Sequence, residues 1–255
     1  MKHIPNFITC LNLAAGFISV IFASSGSLVV ASWLILAAMI FDFLDGFSAR
    51  MLHAYSETGK ELDSLADIVS FGVSPAIIIH EMIKAAAGTG HGASVFMTDV
   101  LPFVPILMPV LAGLRLAKFN VDSTQSAVFM GLPTPGNAIA VISVVLAAAY
   151  SRSPFMASFT GSPAALAIYS VILSLLMITR IPLISNKFKG FRFSGNEWRF
   201  IFAGAVLAML VIFGIASAPL IIPLYILMSL AALYLPFSSP PSQEDTSSRS
   251  TSKRP

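Results

Sequence analysis

The chain has 255 residues, 56% hydrophobic and only 11% charged, with a mean hydropathy of +0.84. Soluble domains carry about a quarter charged residues, so this balance excludes an ordinary soluble protein and points to helices buried in lipid. The net charge of +3 is too small to argue for nucleic acid, and the lone Cys10 excludes an internal disulfide framework and a thiolate metal cluster.

Eight apolar segments follow in chain order, at about 7–24, 28–47, 62–83, 99–118, 134–150, 163–180, 199–215 and 219–236. Several are near the lower limit of about 17 residues for a spanning helix. The first is interrupted by Asn12, preceded by Pro5 and not followed by a clean small-residue cleavage site, so it reads as a retained span with Cys10 packed as a small residue within it. The last two are split around Gly214 to Pro219. They read as two spans, as one long element or as a re-entrant hairpin, with six spans the fallback count. The expectation is an all-α integral membrane protein, a polytopic bundle of about eight transmembrane helices.

With the N-terminus in the cytoplasm and eight spans, every Lys and Arg except Lys84 and Arg152 falls on the cytoplasmic side. Both termini are then cytoplasmic. The run Lys187, Lys189, Arg192 and Arg199 sets topology and attracts anionic headgroups. Three regions are expected: a bundle over 1–180, a basic loop with the last apolar pair over 181–237, and a disordered Ser/Thr/Pro-rich tail over 238–255.

The segment D-F-L-D-G-F-S-A-R (Asp42 to Arg50) is followed, eight residues later, by G-K-E-L-D-S-L-A-D (Gly59 to Asp67). Ionisable residues at membrane depth are costly and point to function. Asp42 and Asp45 are three apart, and Asp63 and Asp67 four apart, so each pair shares one helical face. Two such faces turned together form an all-oxygen cage suited to a hard divalent cation, Mg²⁺ or Mn²⁺. Gly46, Ala49 and Gly59 keep the surface narrow, and Arg50 adds a fixed cation, which suits a substrate carrying phosphates. Taken singly, Arg50 and Lys60 also read as cytoplasmic anchors. An ion site of a cation transporter is the reading from another functional class.

The pattern D-x2-D-G-x2-A-R-x8-G-x3-D-x3-D resembles the signature of the CDP-alcohol phosphatidyltransferase family at every position. That resemblance implies a membrane-embedded, typically homodimeric enzyme with a six-helix core, here with two further helices. It moves a phosphatidyl group from a CDP-linked lipid to an alcohol and releases CMP. It further implies a two-metal centre on Asp42, Asp45, Asp63 and Asp67, with Asp67 the general base. Asp42, Gly46, Ala49, Arg50, Thr58 and Gly59 would line the CDP site, in the cytoplasmic membrane and facing the cytoplasm.

Four further segments look like the phosphatidylserine synthase branch of the family: Pro5 to Asn12, Ile68 to Ala76, R-L-A-K-F-N (Arg115 to Asn120) and F-M-G-L-P-T-P (Phe129 to Pro135). Lys118 stands where that branch leads one to expect Arg. The substrates so implied are CDP-diacylglycerol and L-serine, with glycerol 3-phosphate, an inositol phosphate or an archaeal ether lipid as alternatives. Serine carries a carboxylate, so Arg115 and Lys118, three apart on one face, read either as its partners or as membrane anchors. Gly131 to Pro135 reads as a turn opening a span or as a loop bordering the acceptor pocket.

Overall fold

A computed structural model of the protein describes residues 3–88, 95–121, 129–183 and 197–234. The helices are α1 (His3–Ser24), α2 (Leu28–Met51), α3 (Glu57–Asp67), α4 (Ser74–Gly88), α5 (Leu107–Val121), α6 (Thr134–Tyr150), α7 (Pro154–Thr160), α8 (Pro163–Ile178), α9 (Glu197–Phe213) and α10 (Ile221–Tyr234). A π-helical turn, Ile68–Val73, joins α3 to α4, and Phe96–Ile106 leads into α5 as π and 3-10 turns. Two short strands, β1 (Phe129–Met130) and β2 (Pro182–Leu183), pair antiparallel. Each expected apolar segment is occupied by helix. The tail from 238 and the basic residues Lys187, Lys189 and Arg192 lie outside the described residues.

Among the described residues, five helical stretches are long and apolar enough to cross a membrane, or six if α7 and α8, bent by 84°, count as one. Trp198–Ala232 is the longest of these stretches. It is not straight. Phe202 and Tyr225 have ring centroids 5.6 Å apart, whereas a straight helix would separate residues so far along the chain by about 34 Å. The chain doubles back through the 3-10 turn Gly214–Leu220, which opens on Gly214 at φ 64°. The reading of this region as one long element is thereby corrected.

Side chains are sorted as a lipid solvent demands, with small and polar groups inside and large apolar ones outside. The buried face of α1 carries Pro5, Thr9, Asn12, Gly16, Ser19 and Ala23, while Phe7 and Phe17 are exposed. Cys10 is exposed as well, correcting its expected packing: it lies off the small-residue stripe that meets α2. Close approach is secured by hydroxyls. Ser19 donates to the Ala31 carbonyl at 2.8 Å and shares a 2.6 Å hydrogen bond with Ser74. At the centre stands α6, buried along most of its length from Thr134 to Ala147.

The two halves of the acidic motif lie on α2 and on α3, and a connection of five residues, Leu52 to Ser56, turns the chain between them. His53 takes a left-handed φ of 48° in that turn, and Ser56 caps α3 by accepting the Gly59 N–H at 3.0 Å. Helix α1 packs against both α2 and α3 and so fixes their mutual position.

Gly16 is where α1 meets the π-helical turn most closely. A Cβ there would stand 2.7 Å from the Ser70 Cα, a backbone atom that cannot rotate away. Gly16→Ala should therefore destabilise the bundle by about 1–3 kcal/mol through overpacking. The check is the thermal unfolding midpoint of the purified protein, which should fall by several degrees.

Candidate active site

Carboxylate oxygens of Asp42, Asp63 and Asp67 lie within 4.8 Å of one another. Asp42 and Asp63 are within hydrogen-bond distance. Asp67 is 9% exposed, and Oδ1 of both Asp63 and Asp67 is buried without a hydrogen-bond partner among the described residues. Converging acceptors with unused lone pairs fit a hard divalent cation held by oxygen. Asp45 stands beside this group, close enough to interact electrostatically with Asp63 and Asp67.

Asp45 is held differently. It is 5% exposed, and the Thr9 hydroxyl donates to its Oδ2 at 2.6 Å. The same hydroxyl lies 3.0 Å from the Pro5 carbonyl, but with one proton it serves the shorter, charged acceptor. Two further groups meet Asp67. Thr134, at the first turn of α6, points its hydroxyl at Oδ2 from 3.5 Å, and the fully buried Asn12 turns its amide toward the same carboxylate.

On the side of α5, Arg115 interacts electrostatically with Asp67, and its Nε is buried with no hydrogen-bond partner among the described residues. Lys118 is exposed and is not brought to the carboxylates. Instead, Lys60 donates to the Asn120 carbonyl at 2.9 Å and Asn120 donates to the Ser64 hydroxyl at 2.9 Å, tying the end of α5 to α3.

The small residues of the motif separate into two roles. A Cβ on Gly46 would meet only Arg50 Nη1, at 3.5 Å, an ordinary contact. Packing does not require glycine there, although a helix-interior glycine costs about 1 kcal/mol relative to alanine. Its bare backbone is left uncovered, with the Arg50 guanidinium beside it. Gly59 is different, because a Cβ would stand 2.9 Å from both Asn6 Oδ1 and Ser56 Oγ. Thr58 is exposed on the same turn, and Ala49 is half-buried beside Arg50. Gly131, at φ 73°, serves packing: its loop hydrogen-bonds to the end of α8 through Gly131 N–H to the Ile181 carbonyl and Leu132 N–H to the Leu176 carbonyl, both at 2.9 Å.

Thr9 and Asn12 were not singled out from the sequence as site residues, and Thr134 entered only as part of the Gly131 to Pro135 loop. The available signal was their polarity inside apolar spans, which in lipid calls for a partner.

The chain belongs to the CDP-alcohol phosphatidyltransferase family, whose model matches residues 2–216. A CDP-diacylglycerol–serine O-phosphatidyltransferase of Mycobacterium leprae is 37% identical over 191 residues, covering 72% of this chain and 58% of that protein. The Bacillus subtilis protein of the same name is 31% identical over 185 residues, covering 71% of this chain and 89% of its own. An archaetidylserine synthase of Methanothermobacter thermautotrophicus is 35% identical over 154 residues, 58% of this chain and 60% of that protein. The chain thus spans less than two thirds of the M. leprae relative's length.

The Thr9–Asp45 bond orients a carboxylate at the edge of the cage, and such supporting bonds typically govern metal affinity by about 10- to 100-fold. Thr9→Val keeps the side chain's size and removes the donor. Mn²⁺ titration followed by electron paramagnetic resonance should show affinity weakened by about that factor.

Proposed function

We propose that the protein transfers the phosphatidyl group of CDP-diacylglycerol to the hydroxyl of L-serine, giving phosphatidylserine and CMP. The observation that carries this reading is the cluster of Asp42, Asp63 and Asp67 oxygens within 4.8 Å, with the half-buried Arg115 acting on Asp67. Relatives whose names specify serine as acceptor support the choice of alcohol. An archaetidylserine synthase among the relatives favours one second reading, the same transfer to serine from an ether-linked CDP lipid. The transporter reading has no such support.

In this reading Asp42, Asp45, Asp63 and Asp67 hold two divalent ions, Mg²⁺ or Mn²⁺. Bound there, such ions neutralise charge on the diphosphate and on the departing CMP. Gly46 gives the diphosphate backbone-close access, Arg50 supplies a planar cation for it, and Ala49, Thr58 and Gly59 border the nucleotide. Arg115 pairs with the serine carboxylate, while Lys118 acts as an anchor or as a second partner. That pairing sets the serine hydroxyl beside Asp67. Its oxygen attacks the phosphorus bonded to diacylglycerol, the bond from that phosphorus to CMP breaks, and CMP leaves with the electron pair. Asp67 takes the hydroxyl proton as the new bond forms. Thr134 and Asn12 keep its carboxylate facing the acceptor.

The same reading sets the molecule in the cytoplasmic membrane as a homodimer. It makes eight helical passes, with both termini and the active site on the cytoplasmic side. The excess of Lys and Arg on that side supports the orientation, and the doubled-back α9–α10 pair supports the even count. The catalytic bundle is 1–180. Region 181–237 adds the C-terminal pair, whose α10 packs on α6 and β2.

Purified protein given CDP-diacylglycerol, Mn²⁺ and serine should release CMP. Glycerol 3-phosphate, inositol 1-phosphate and choline, tested side by side, should not support release, and exhaustive chelation should abolish it. Asp67→Asn should retain nucleotide-lipid binding while losing turnover by at least about 10²-fold, and Asp42→Asn should weaken metal binding itself. Normal kcat in Asp67→Asn would remove Asp67 from its role as base.

Arg115→Ala separates acceptor binding from donor binding. The serine KM should rise by about 10- to 100-fold, as for a lost charge-assisted hydrogen bond, with the KM for CDP-diacylglycerol within twofold. Steady-state kinetics with each substrate varied in turn decides it, since an equal rise in both would reject the pairing.

A further inference from the structure

The turn that follows Asp67 carries a backbone problem that another helix solves. In an α-helix the Phe71 carbonyl would accept the N–H of residue 75. Here residue 75 is proline, with no N–H and a ring that crowds that carbonyl. The chain widens into the π-helical turn Ile68–Val73, and the Ser74 N–H reaches back five residues to the Val69 carbonyl. The Phe71 carbonyl is supplied from outside: Asn137 Nδ2, on α6, donates to it at 2.9 Å, both residues being 0% exposed. In lipid, a freed backbone carbonyl needs such a partner.

The same turn is gripped from two other helices. The Ser70 hydroxyl donates to the Asn12 carbonyl of α1 at 3.0 Å. Gly72 lets α5 approach so closely that a Cβ would stand 3.3 Å from the Pro109 Cα and 3.2 Å from the Ala112 Cβ. A π turn holds about one residue more than an α turn, so closing it would rotate α3, with Asp63 and Asp67, by up to about 100° against α4. Asp67 directly precedes this turn, and π turns inside helices are frequent at functional sites.

We propose that Asn137 is a positioning residue for Asp67. Its side-chain amide takes the place of the N–H that Pro75 lacks, keeps the π turn open, and so fixes the direction in which the Asp67 carboxylate meets the acceptor hydroxyl. The inference rests on Asp67 being the proton acceptor, as proposed above.

Asn137→Leu keeps the number and branching of the side-chain heavy atoms and removes the amide, while Asn137→Gln retains a donor one methylene further out. In purified full-length enzyme, Asn137→Leu should lower kcat by about 10- to 100-fold, the usual cost of misplacing a reacting group by about 1 Å. The KM values for both substrates and the number of CDP-diacylglycerol sites per protein should stay within twofold, and Asn137→Gln should recover part of kcat. A kcat within twofold of wild type overturns the proposal, as does a loss of kcat matched by an equal loss of binding sites. If the leucine variant does not fold, Asn137→Ser is measured by the same criteria. Asp67→Asn separates the two assignments. If it is inactive while Asn137→Leu is normal, only the positioning role fails. If it turns over normally, the base assignment fails, whatever Asn137 does.

Discussion

Mutual repulsion of carboxylates is the constraint around which this molecule is arranged. Three acidic groups, Asp67 buried and Asp42 and Asp63 half-buried, converge to within 4.8 Å. At an effective dielectric of 20, two unit charges 4 Å apart repel by about 4 kcal/mol, so the cluster tends to splay unless the helices cannot move or a cation sits between them. The protein supplies the first condition. Helix α1 packs on both acid-bearing helices, and its Gly16 locks against Ser70 with no room for a methyl group. A divalent ion meets the second, and the unused oxygens of Asp63 and Asp67 are the atoms that would accept it.

Rigidity of this kind has a particular source in lipid. Apolar side chains gain little by meeting each other when the surroundings are equally apolar, so close packing and interhelical hydrogen bonds hold the helices together. The inner surface accordingly uses Gly16, Ser19, Ser70, Ser74 and Asn137, while Phe7, Phe43 and Trp33 face outward. The bonds that secure the bundle also touch the site. Asn12 accepts the Ser70 hydroxyl on its backbone carbonyl and places its side-chain amide near Asp67, and α6 carries both Thr134 and Asn137. Stability and alignment of the carboxylates are thus carried by the same few polar residues.

Much of this was legible in the sequence, for definite reasons. Helices in lipid must be long and apolar, and hydropathy alone located α6 at its observed bounds of Thr134–Tyr150. The acidic motif was legible because four aspartates at spacings of three and four have no cheap structural use in such a chain. Which face of a span turns inward was not. Cys10 and Thr9 are neighbours in an apolar run, yet one is exposed and the other bonds Asp45. Lipid and core are alike apolar, so hydropathy gives no sign of the difference, and only the helical spacing of small and polar residues such as Thr9, Asn12, Gly16 and Ser19 carries it. The 84° bend before α8 is not marked by hydropathy, whereas the reversal at Gly214 falls where Gly214 to Pro219 split the last apolar stretch.

Placement of the charges along the helices bears on why a transferase would use this geometry. Asp42 stands nine residues before the end of α2 at Met51, about 14 Å inside the helix, and Asp67 lies ten residues into the helix that begins at Glu57, about 15 Å from its tip. The cage is therefore sunk below the helix ends rather than carried on them. Above it, toward those ends, lie Gly46, Arg50 and Gly59, which in the proposed reading border a nucleotide that stays near water. Beside it, open to the lipid, are the exposed faces of α2 and α5, with Phe43 and Val110, which suit acyl chains. A lipid diphosphate has its charged junction between a water-loving and an oil-loving half. A cation cage at this depth meets that junction without lifting the chains out of the bilayer or drawing the nucleotide into it.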